Sequence, residues 1–321
     1  MKVTNRAWWI LFVSILGLGV IGCGDDAGQQ PGLPDAATPP PVDGGSGPDA
    51  PPGDPTHTWS AIITADWTLA AGQEKYVCAT KTLTEDVYLG GFRPIDPVGT
   101  HHTLLTFGAP MGADNPGFDC SPGAENPLWI YASGVGTNEL MMPTGVGMKI
   151  EKGQQVLINL HLFNTSDVSI SGKSGIEVYS LKAAEVVDEA EMFLPGPVGF
   201  QNAPTTLSGD CTLTGEQHLV ALFPHMHQKG RHIKTEVISA TAGTPAKVLH
   251  DSDYQFDSQE FELLNSVAVH AGDKLRTTCT WDGNGGPINF GSSSTAEMCF
   301  SIIIRYPRFN APGAQGALCF H

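Results

Sequence analysis

Residues 155–163 read Gln-Val-Leu-Ile-Asn-Leu-His-Leu-Phe, a pattern that predicts a buried β-strand. Asn159 and His161 would share one face of this strand, and the other face would carry Val156, Ile158, Leu160 and Leu162. Eight further short runs have the same character, bounded by Gly, Pro or Asp, at residues 86–92, 103–107, 175–181, 218–223, 232–239, 261–264, 274–281 and 298–306. Helical periodicity is nearly absent, so many short strands predict an all-β sandwich or barrel.

The N-terminus is expected to be an export signal. Lys2 and Arg6 accompany an apolar run over residues 7–22, which is shorter than the roughly 20 residues that a transmembrane helix needs. The run ends in Val20-Ile21-Gly22-Cys23, which resembles a bacterial lipobox. We therefore predict a lipoprotein signal peptide over residues 1–22 and lipidation of Cys23. The alternative is an ordinary cleaved signal followed by an incidental cysteine.

Residues 23–56 are expected to form a disordered tether. Residues 24–56 contain nine Pro, seven Gly and six Asp, with no Lys, Arg or aromatic residue. Such a composition cannot bury enough apolar surface to offset the entropy lost on ordering. The sequence thus predicts an exported protein, lipid-anchored to a bacterial membrane on the periplasmic side or at the cell surface. Its folded body would meet the membrane only through the anchor.

Residues 57–321 are an acidic segment long enough for two domains. Of the chain's 17 basic and 33 acidic residues, Lys2, Arg6 and six Asp of the tether lie outside it, which leaves 15 basic and 27 acidic. This balance argues against nucleic acid as a partner. The chain has seven Cys, and six remain without Cys23. An even number in an oxidising compartment predicts three disulfides, for which 15 pairings are possible.

Two histidine motifs are candidate metal-binding segments. His225-x-His227 would place both imidazoles on one face of a strand, and Pro224 favours a sheet edge or a strand end. Neighbouring residues of a regular strand face opposite ways, so His101 and His102 could share a metal only at a strand end or a distortion. The Pro-Val-Gly-Thr run at residues 97–100 offers such a place. Either motif alone could be incidental.

His161 and Met298 are candidate ligands of a second kind. His161 is either a buried core histidine or a metal ligand. Met298 is either a ligand or a core residue, since it shares a strand face with Phe300, Ile302 and Ile304. Imidazoles alone suit zinc, nickel or copper, whereas a soft thioether sulfur selects copper, Cu(I) in particular. Three histidines in one set, and two histidines with a methionine in another, would form two copper sites, which suggests redox chemistry.

Together these segments resemble the copper type II, ascorbate-dependent monooxygenases, the family of peptidylglycine α-hydroxylating monooxygenase and dopamine β-monooxygenase. Residues 101–108 (His-His-Thr-Leu-Leu-Thr-Phe-Gly) resemble its first copper motif, and residues 156–161 resemble the strand that carries its third histidine. His225-Met226-His227 resembles the His-x-His of its second copper. Residues 291–299 (Gly-Ser-Ser-Ser-Thr-Ala-Glu-Met-Cys) resemble the segment that ends in its methionine ligand. Order and approximate spacing agree over nearly all of residues 60–321.

The resemblance implies two antiparallel, jelly-roll-like β-sandwich domains, here residues 57–182 and 183–321, with one copper in each, facing across a solvent-filled cleft. The electron-transfer copper would be held by His101, His102 and His161. The catalytic copper, at which dioxygen is used, would be held by His225, His227 and Met298. The expected cofactors are two coppers per chain, with ascorbate or another reductant as co-substrate. The implied disulfides are Cys78–Cys120, Cys211–Cys319 and Cys279–Cys299.

The resemblance fails at the substrate pocket. The peptide-amidating branch holds a C-terminal carboxylate with an Arg before the His-x-His and with an Asn and a Tyr beyond the Met. Those positions are Phe223, Phe300 and Ile302 here. Because a buried carboxylate without a partner is costly, the predicted substrate is a neutral apolar or aromatic small molecule rather than a glycine-extended peptide. Alternatively, these side chains simply fill the pocket, or Arg305 or Arg308 replaces the lost cation.

The predicted function is therefore that of a copper-dependent monooxygenase, an oxidoreductase that hydroxylates a C–H bond with O2 and an external one-electron reductant. A non-catalytic copper-binding or copper-buffering lipoprotein is the alternative, although a buffer does not need two differently built sites. A zinc hydrolase is a third possibility. It is disfavoured because methionine is a poor zinc ligand and no paired carboxylate base accompanies the histidines.

Overall fold

The protein is built from short β-strands. The computed structural model describes residues 58–309, apart from residues 127 and 257, together with residues 318–319. The strands are β1 (Trp59–Leu69), β2 (Glu74–Thr82), β3 (Val87–Ile95), β4 (Thr100–Gly108), β5 (Asn115–Asp119), β6 (Leu128–Ser133), β7 (Leu140–Met141), β8 (Val146–Ile150), β9 (Gln155–Phe163), β10 (Ile170–Leu181), β11 (Asp188–Glu189), β12 (Glu191–Pro195), β13 (Thr206–Thr212), β14 (Gln217–Met226), β15 (Gly230–Ile238), β16 (Lys247–Asp253), β17 (Glu262–Val269), β18 (Lys274–Trp281), β19 (Cys299–Tyr306) and β20 (Leu318–Cys319). Within the described residues, helical structure is limited to the 3-10 turns Ala183–Glu185 and Gly283–Gly285.

The all-β prediction is confirmed. Each of the nine predicted runs falls on a separate strand, and the predicted bounds of β9 and β18 agree with the observed ones. The strands that the pattern missed include β5, which is exposed along its whole length, and the two-residue strands β7, β11 and β20. Such strands have too little alternation between buried and exposed residues to be detected. The signal peptide, Cys23 and the tether lie outside the described residues, within which no helix is long and apolar enough to cross a bilayer.

The strands form four sheets, and each described sheet takes its strands from only one side of residue 190, which separates an N-terminal from a C-terminal part. The N-terminal part supplies one sheet in the order β1-β10-β3-β8-β11, with β7 beside β3, and another in the order β5-β2-β9-β4-β6. The C-terminal part supplies β17-β14-β19-β12-β20 and β13-β18-β15-β16. Strand pairs are antiparallel except for the short pairs β8–β11 and β12–β20. The division into domains at residues 182 and 183 stays a prediction.

The sheet that contains β14 and β19 is covered on both faces. Phe300, Ile302 and Ile304 of β19 lie in the large core that also contains residues of both N-terminal sheets. Ile303 points the other way, into a second core with Leu275 of β18. A strand buried on both faces carries an unbroken apolar run instead of an alternating one, as residues 298–304 largely do. The shared core therefore fixes the two parts of the chain against each other near β14 and β19.

Three disulfides close the chain upon itself: Cys78–Cys120, Cys211–Cys319 and Cys279–Cys299. They are the three pairs that the resemblance implies. The Cys211–Cys319 bridge spans a sequence separation of 108 residues. A loop of that length contributes about 4–5 kcal/mol in the chain-entropy description of disulfides. Cys279–Cys299 joins β18 to the first residue of β19, directly beside Met298.

Buried hydroxyls connect the two C-terminal sheets. The Ser301 hydroxyl on β19 lies 2.5 Å from that of Thr235 on β15 and accepts from Thr277 on β18 at 2.8 Å. Thr277 also contacts the Pro195 carbonyl on β12 at 3.1 Å. All three hydroxyl residues are fully buried. Each hydroxyl therefore relies on the others in place of water.

Replacing Ser301 by Ala should lower the free energy of unfolding by about 1–3 kcal/mol, because the Thr235 hydroxyl stays buried without this partner. Ser208→Ala is the matched control. The Ser208 hydroxyl makes the same kind of contact with Thr278, at 2.7 Å, but on an exposed surface. Surface changes of this kind usually stay within about 0.5 kcal/mol. Urea denaturation measures both variants, and equal losses would contradict the role given to burial.

Candidate metal centre

A β-bulge at the start of β4 brings His101 and His102 to the same side of the sheet. The register of β4 against β9 shifts between Thr100 and His102, which leaves His101 as the additional residue. A bulge of this kind re-aims a side chain that a regular strand would point to the opposite face. Gly99, just before it, has a φ of 108°, a conformation that favours glycine. The distortion expected from residues 97–100 is therefore present.

The first histidine set, His101, His102 and His161, converges on one point. His102 and His161 are direct partners across β4 and β9. The Nδ1 atom of His102 lies 3.0 Å from Nδ1 of His101 and 3.4 Å from Nδ1 of His161. Each ring can direct one nitrogen to a common ion, so this set has the arrangement of a metal site.

Two residues of β2 hold His161 in place. Glu74 Oε1 lies 2.6 Å from His161 Nε2, and the Tyr76 ring stacks on the imidazole with 4.5 Å between ring centroids. A carboxylate only accepts hydrogen bonds, so Nε2 of His161 donates and its Nδ1 keeps a lone pair for a metal. Carboxylate contacts of this kind orient metal-binding histidines. The sequence did not single out either residue, because a contact between neighbouring strands leaves no local motif.

The second set, His225, His227 and Met298, begins at the end of β14. This strand lies between β17 and β19, so it is not an edge strand. Its pairing with β17 ends at Leu222, however, and Pro224 pairs only with Ser301 of β19. Pro224, which has no backbone N–H, thus lies beyond the end of the pairing between β14 and β17. This is the strand-end position that the sequence allowed.

Hydrogen bonds select which nitrogens of the second set can bind a metal. His227 Nδ1 donates to the Ala296 carbonyl at 3.2 Å, and His225 Nδ1 donates to Gln259 Oε1 at 2.9 Å. Both acceptors are oxygens without a hydrogen, so each ring carries its proton on Nδ1. The Nε2 atoms of both rings are left as donors to a metal, in contrast to the Nδ1 atoms of the first set.

Met298 is held between two anchors. On one side is the Cys279–Cys299 disulfide. On the other is Glu297, which is only 1% exposed. Its carboxylate accepts hydrogen bonds from the backbone N–H of Lys229 at 2.8 Å, the Trp281 indole at 2.8 Å and the backbone N–H of His227 at 3.3 Å. Glu297 therefore links the segment that carries Met298 to the one that carries His227, a role the sequence did not reveal.

Burial favours the neutral form of His102, His161, His225 and His227. Desolvation is the main cause that lowers the pKa of His102 well below its ordinary value, and it also lowers the pKa of His161 and of His225. Desolvation, with the neighbouring His225, lowers the pKa of His227 to about 3. Neutral imidazole is the form that binds metals, and thioether with imidazole is a donor set suited to copper. The residues present therefore fit copper.

Members of both sets line one pocket. Its walls include His102 and His161 of the first set and all three members of the second, together with Phe223, Ile302, Trp129, Glu125 and Gln259. His101 lines a neighbouring groove instead. Phe300 was also predicted to line the pocket, but the described lining does not include it. Phe300 is buried and packs edge-on against Phe290, with 6.1 Å between ring centroids.

Neither arginine considered as a replacement cation lines this pocket among the described residues. Arg305 lies on the face of β19 opposite to Ile302. Its guanidinium binds Glu191 Oε1 at 2.7 and 2.9 Å and lies 3.9 Å from the centre of the Phe193 ring. Arg308 lies 3.5 Å from Glu189. The ionisable side chain that the pocket does contain, besides its histidines and Tyr76, is Glu125, which is exposed to solvent but whose pKa is raised to about 7 by partial desolvation.

Part of the chain is similar to a known family of proteins. Residues 197–321 match the model of the copper type II ascorbate-dependent monooxygenase C-terminal domain. DBH-like monooxygenase protein 1 of Homo sapiens is 27% identical over 211 residues, and that of Gallus gallus is 28% identical over 209 residues. Each match covers 56% of this chain and 33% of the relative, so the chain spans about a third of the length of these relatives.

A solved structure, described as a putative secreted protein from Eubacterium rectale, covers 75% of this chain and 68% of its own, with 12% identity and a TM-score of 0.21. That likeness carries no argument about the fold. The family model covers the second set, His225, His227 and Met298, whereas the first set lies outside it and stands on its own geometry. The domain match and the relatives together support the copper type II ascorbate-dependent monooxygenase family for this chain.

Proposed function

We propose that this protein is a copper-dependent monooxygenase that hydroxylates a C–H bond of a neutral apolar or aromatic compound. It would use O2 and an external one-electron reductant such as ascorbate. The observation that carries the proposal is the meeting of two donor sets of different composition in one pocket with aromatic and aliphatic walls. The domain match and the names of the relatives support the reaction class.

Two coppers per chain would be held, one by His101, His102 and His161 and the other by His225, His227 and Met298. Copper bound in this way would supply one-electron redox chemistry and a site for O2. Glu74 and the Ala296 carbonyl orient the rings, and Glu297 positions the segment that carries the thioether. We also propose the two β-sandwich domains predicted above, because each part of the chain supplies two sheets of its own. β11 (Asp188–Glu189) still pairs within the N-terminal part.

His101→Ala combined with His102→Ala should remove one equivalent of bound copper and leave the second, because the two sets use separate ligands. Copper analysis after anaerobic loading and removal of free metal measures this. His232→Ala with His270→Ala is the matched control, since both of these histidines lie outside the pocket, and it should keep two equivalents. A single equivalent in the unmutated protein would contradict the two-site assignment.

The pocket walls favour a substrate without a negative charge. Phe223, Ile302 and Trp129 offer apolar surface, whose burial against an apolar compound contributes roughly 25 cal/mol per Å². A substrate carboxylate would meet the Glu125 carboxyl, ionised in part at neutral pH, and Arg305 is already engaged by Glu191. An anionic group would therefore be desolvated in the pocket without a cation to replace water.

The expected outcome is reductant-dependent hydroxylation of some neutral phenethyl or aliphatic compound and no turnover of glycine-extended peptides. Oxygen uptake with ascorbate over a panel of compounds, with mass spectrometry of products formed under 18O2, measures both. Phe223→Arg should gain little activity on such peptides, since a lone buried Arg also needs partners. Efficient peptide hydroxylation would refute the substrate class. Tight copper binding without oxygen uptake on any compound would favour a copper-binding lipoprotein.

We further propose that the protein is exported and lipid-anchored to a bacterial membrane through Cys23, with residues 23–56 as the tether. Small molecules and O2 would be its partners, and the acidic body would not bind nucleic acid. Cys23→Ser should abolish incorporation of labelled fatty acid and leave an unprocessed precursor. Lipid labelling and fractionation of the expressing cells measure this. Processing and membrane retention equal to those of the unmutated protein would refute the anchor.

A further inference from the structure

One amide group joins the two histidine sets. Gln259 precedes β17 and is 2% exposed. Its Oε1 lies 2.9 Å from His225 Nδ1, and its Nε2 lies 3.1 Å from His102 Nε2. A ligand of the second set and a ligand of the first therefore share this side chain.

The orientation of the amide in the metal-free protein follows from a further contact of its nitrogen end. Gln259 Nε2 also donates to the Phe256 carbonyl at 2.9 Å, so the nitrogen end has a second acceptor and an exchange of the two ends would place oxygen against oxygen. The backbone of Gln259 is held as well, because the Thr137 hydroxyl donates to its backbone carbonyl at 2.9 Å. A Cβ atom at Gly134 would lie 3.1 Å from the same backbone oxygen, so the chain at Gly134 packs closely on the backbone of Gln259.

This orientation decides where the ring protons lie. An amide oxygen only accepts and an amide nitrogen only donates, while a neutral imidazole carries a single proton. His225 must therefore donate from Nδ1, which leaves its Nε2 for a metal. His102 must accept at Nε2 and carries its proton on Nδ1, the nitrogen that faces His101 and His161. In this arrangement the second set is ready for a metal and the first is not.

We propose that Gln259 couples the two metal sites, so that a metal in one set lowers the affinity of the other. The inference rests on the proposed function. A metal on Nδ1 of His102 moves the ring proton to Nε2, where it faces the amide N–H. Turning the amide satisfies that proton but presents N–H to His225 Nδ1, whose proton must then move to Nε2, the nitrogen needed by the second metal.

With one metal bound, the amide can satisfy both rings, although a turn of the amide gives up its hydrogen bond to the Phe256 carbonyl. With two metals, one buried N–H faces another, because Gln259 has an acceptor at one end only. Leaving a buried donor unsatisfied weakens binding by about tenfold. The product of the two Cu(I) binding constants in the intact protein should therefore fall below the product measured for the sets separately, by at most about tenfold because the turn of the amide has its own cost.

The separate constants come from variants that keep both rings bridged by Gln259. His227→Ala with Met298→Ala removes the second set but keeps His225. His101→Ala with His161→Ala removes the first set but keeps His102. Anaerobic competition with a Cu(I)-specific chelator measures all constants. When the same constants are measured in proteins that also carry Gln259→Ala, most of the shortfall should disappear, because no amide N–H then faces the ring N–H of His102. A shortfall caused by repulsion between the two bound ions would remain in these proteins.

Gln255→Ala is the matched control, since Gln255 is an exposed amide close by in the chain, and it should keep the shortfall of the intact protein. A shortfall that persists with Gln259→Ala, or none in the intact protein, would overturn the coupling while two bound coppers leave the proposed function standing. Binding of fewer than two coppers would end both. Imidazole 15N shifts of the unmutated, metal-free protein provide a test without variants: a His102 proton on Nε2 would refute the assignment.

Discussion

The site depends on one constraint: a buried neutral imidazole carries a single ring proton. The hydrogen-bond acceptor that this N–H faces decides which of the two ring nitrogens is left to bind a metal. Glu74 accepts a hydrogen bond from the Nε2–H of His161, which leaves Nδ1 of this ring for a metal. The Ala296 carbonyl accepts a hydrogen bond from the Nδ1–H of His227, which leaves Nε2 of this ring for a metal. The two sets thus present opposite ring nitrogens to their metals, and the difference arises from acceptors outside the sets.

Strand pairing brings those acceptors within reach. β9 lies between β2 and β4, so Glu74 reaches His161 from one side while His102 reaches it from the other. In the C-terminal part, β14 and β19 pair antiparallel, from His218 opposite Tyr306 to Met226 opposite Cys299. This pairing places the histidine motif beside the segment that carries Met298. The large apolar core, which contains residues of both N-terminal sheets and of the sheet with β14 and β19, then holds one pair of strands against the other.

The sequence was informative where chemistry is local. It predicted nine strands, the distortion ahead of His101 and the ligand candidates, because apolar alternation, a Pro-Val-Gly run and adjacent histidines are visible in short windows. It could not reveal Glu74, Gln259 or Glu297, which lie far along the chain from the residues they contact. Phe300 shows the opposite limit. The sequence predicted which face of its strand Phe300 shares, but not that the Phe290 ring packs against it, because Phe290 lies in a segment without a strand pattern.

The two sets also differ in what holds them. Every support of the second set named here, Glu297, the Cys279–Cys299 disulfide and the Ala296 carbonyl, comes from the C-terminal part, which the family model covers. The first set rests on β2, β4 and β9 and owes nothing to that match. Each set therefore has supports of its own, and Gln259 contacts a ligand of each set with the two ends of one planar amide. The coupling proposed for Gln259 thus comes from the hydrogen-bonding limits of one amide and differs from direct repulsion between the two ions, which needs no shared residue.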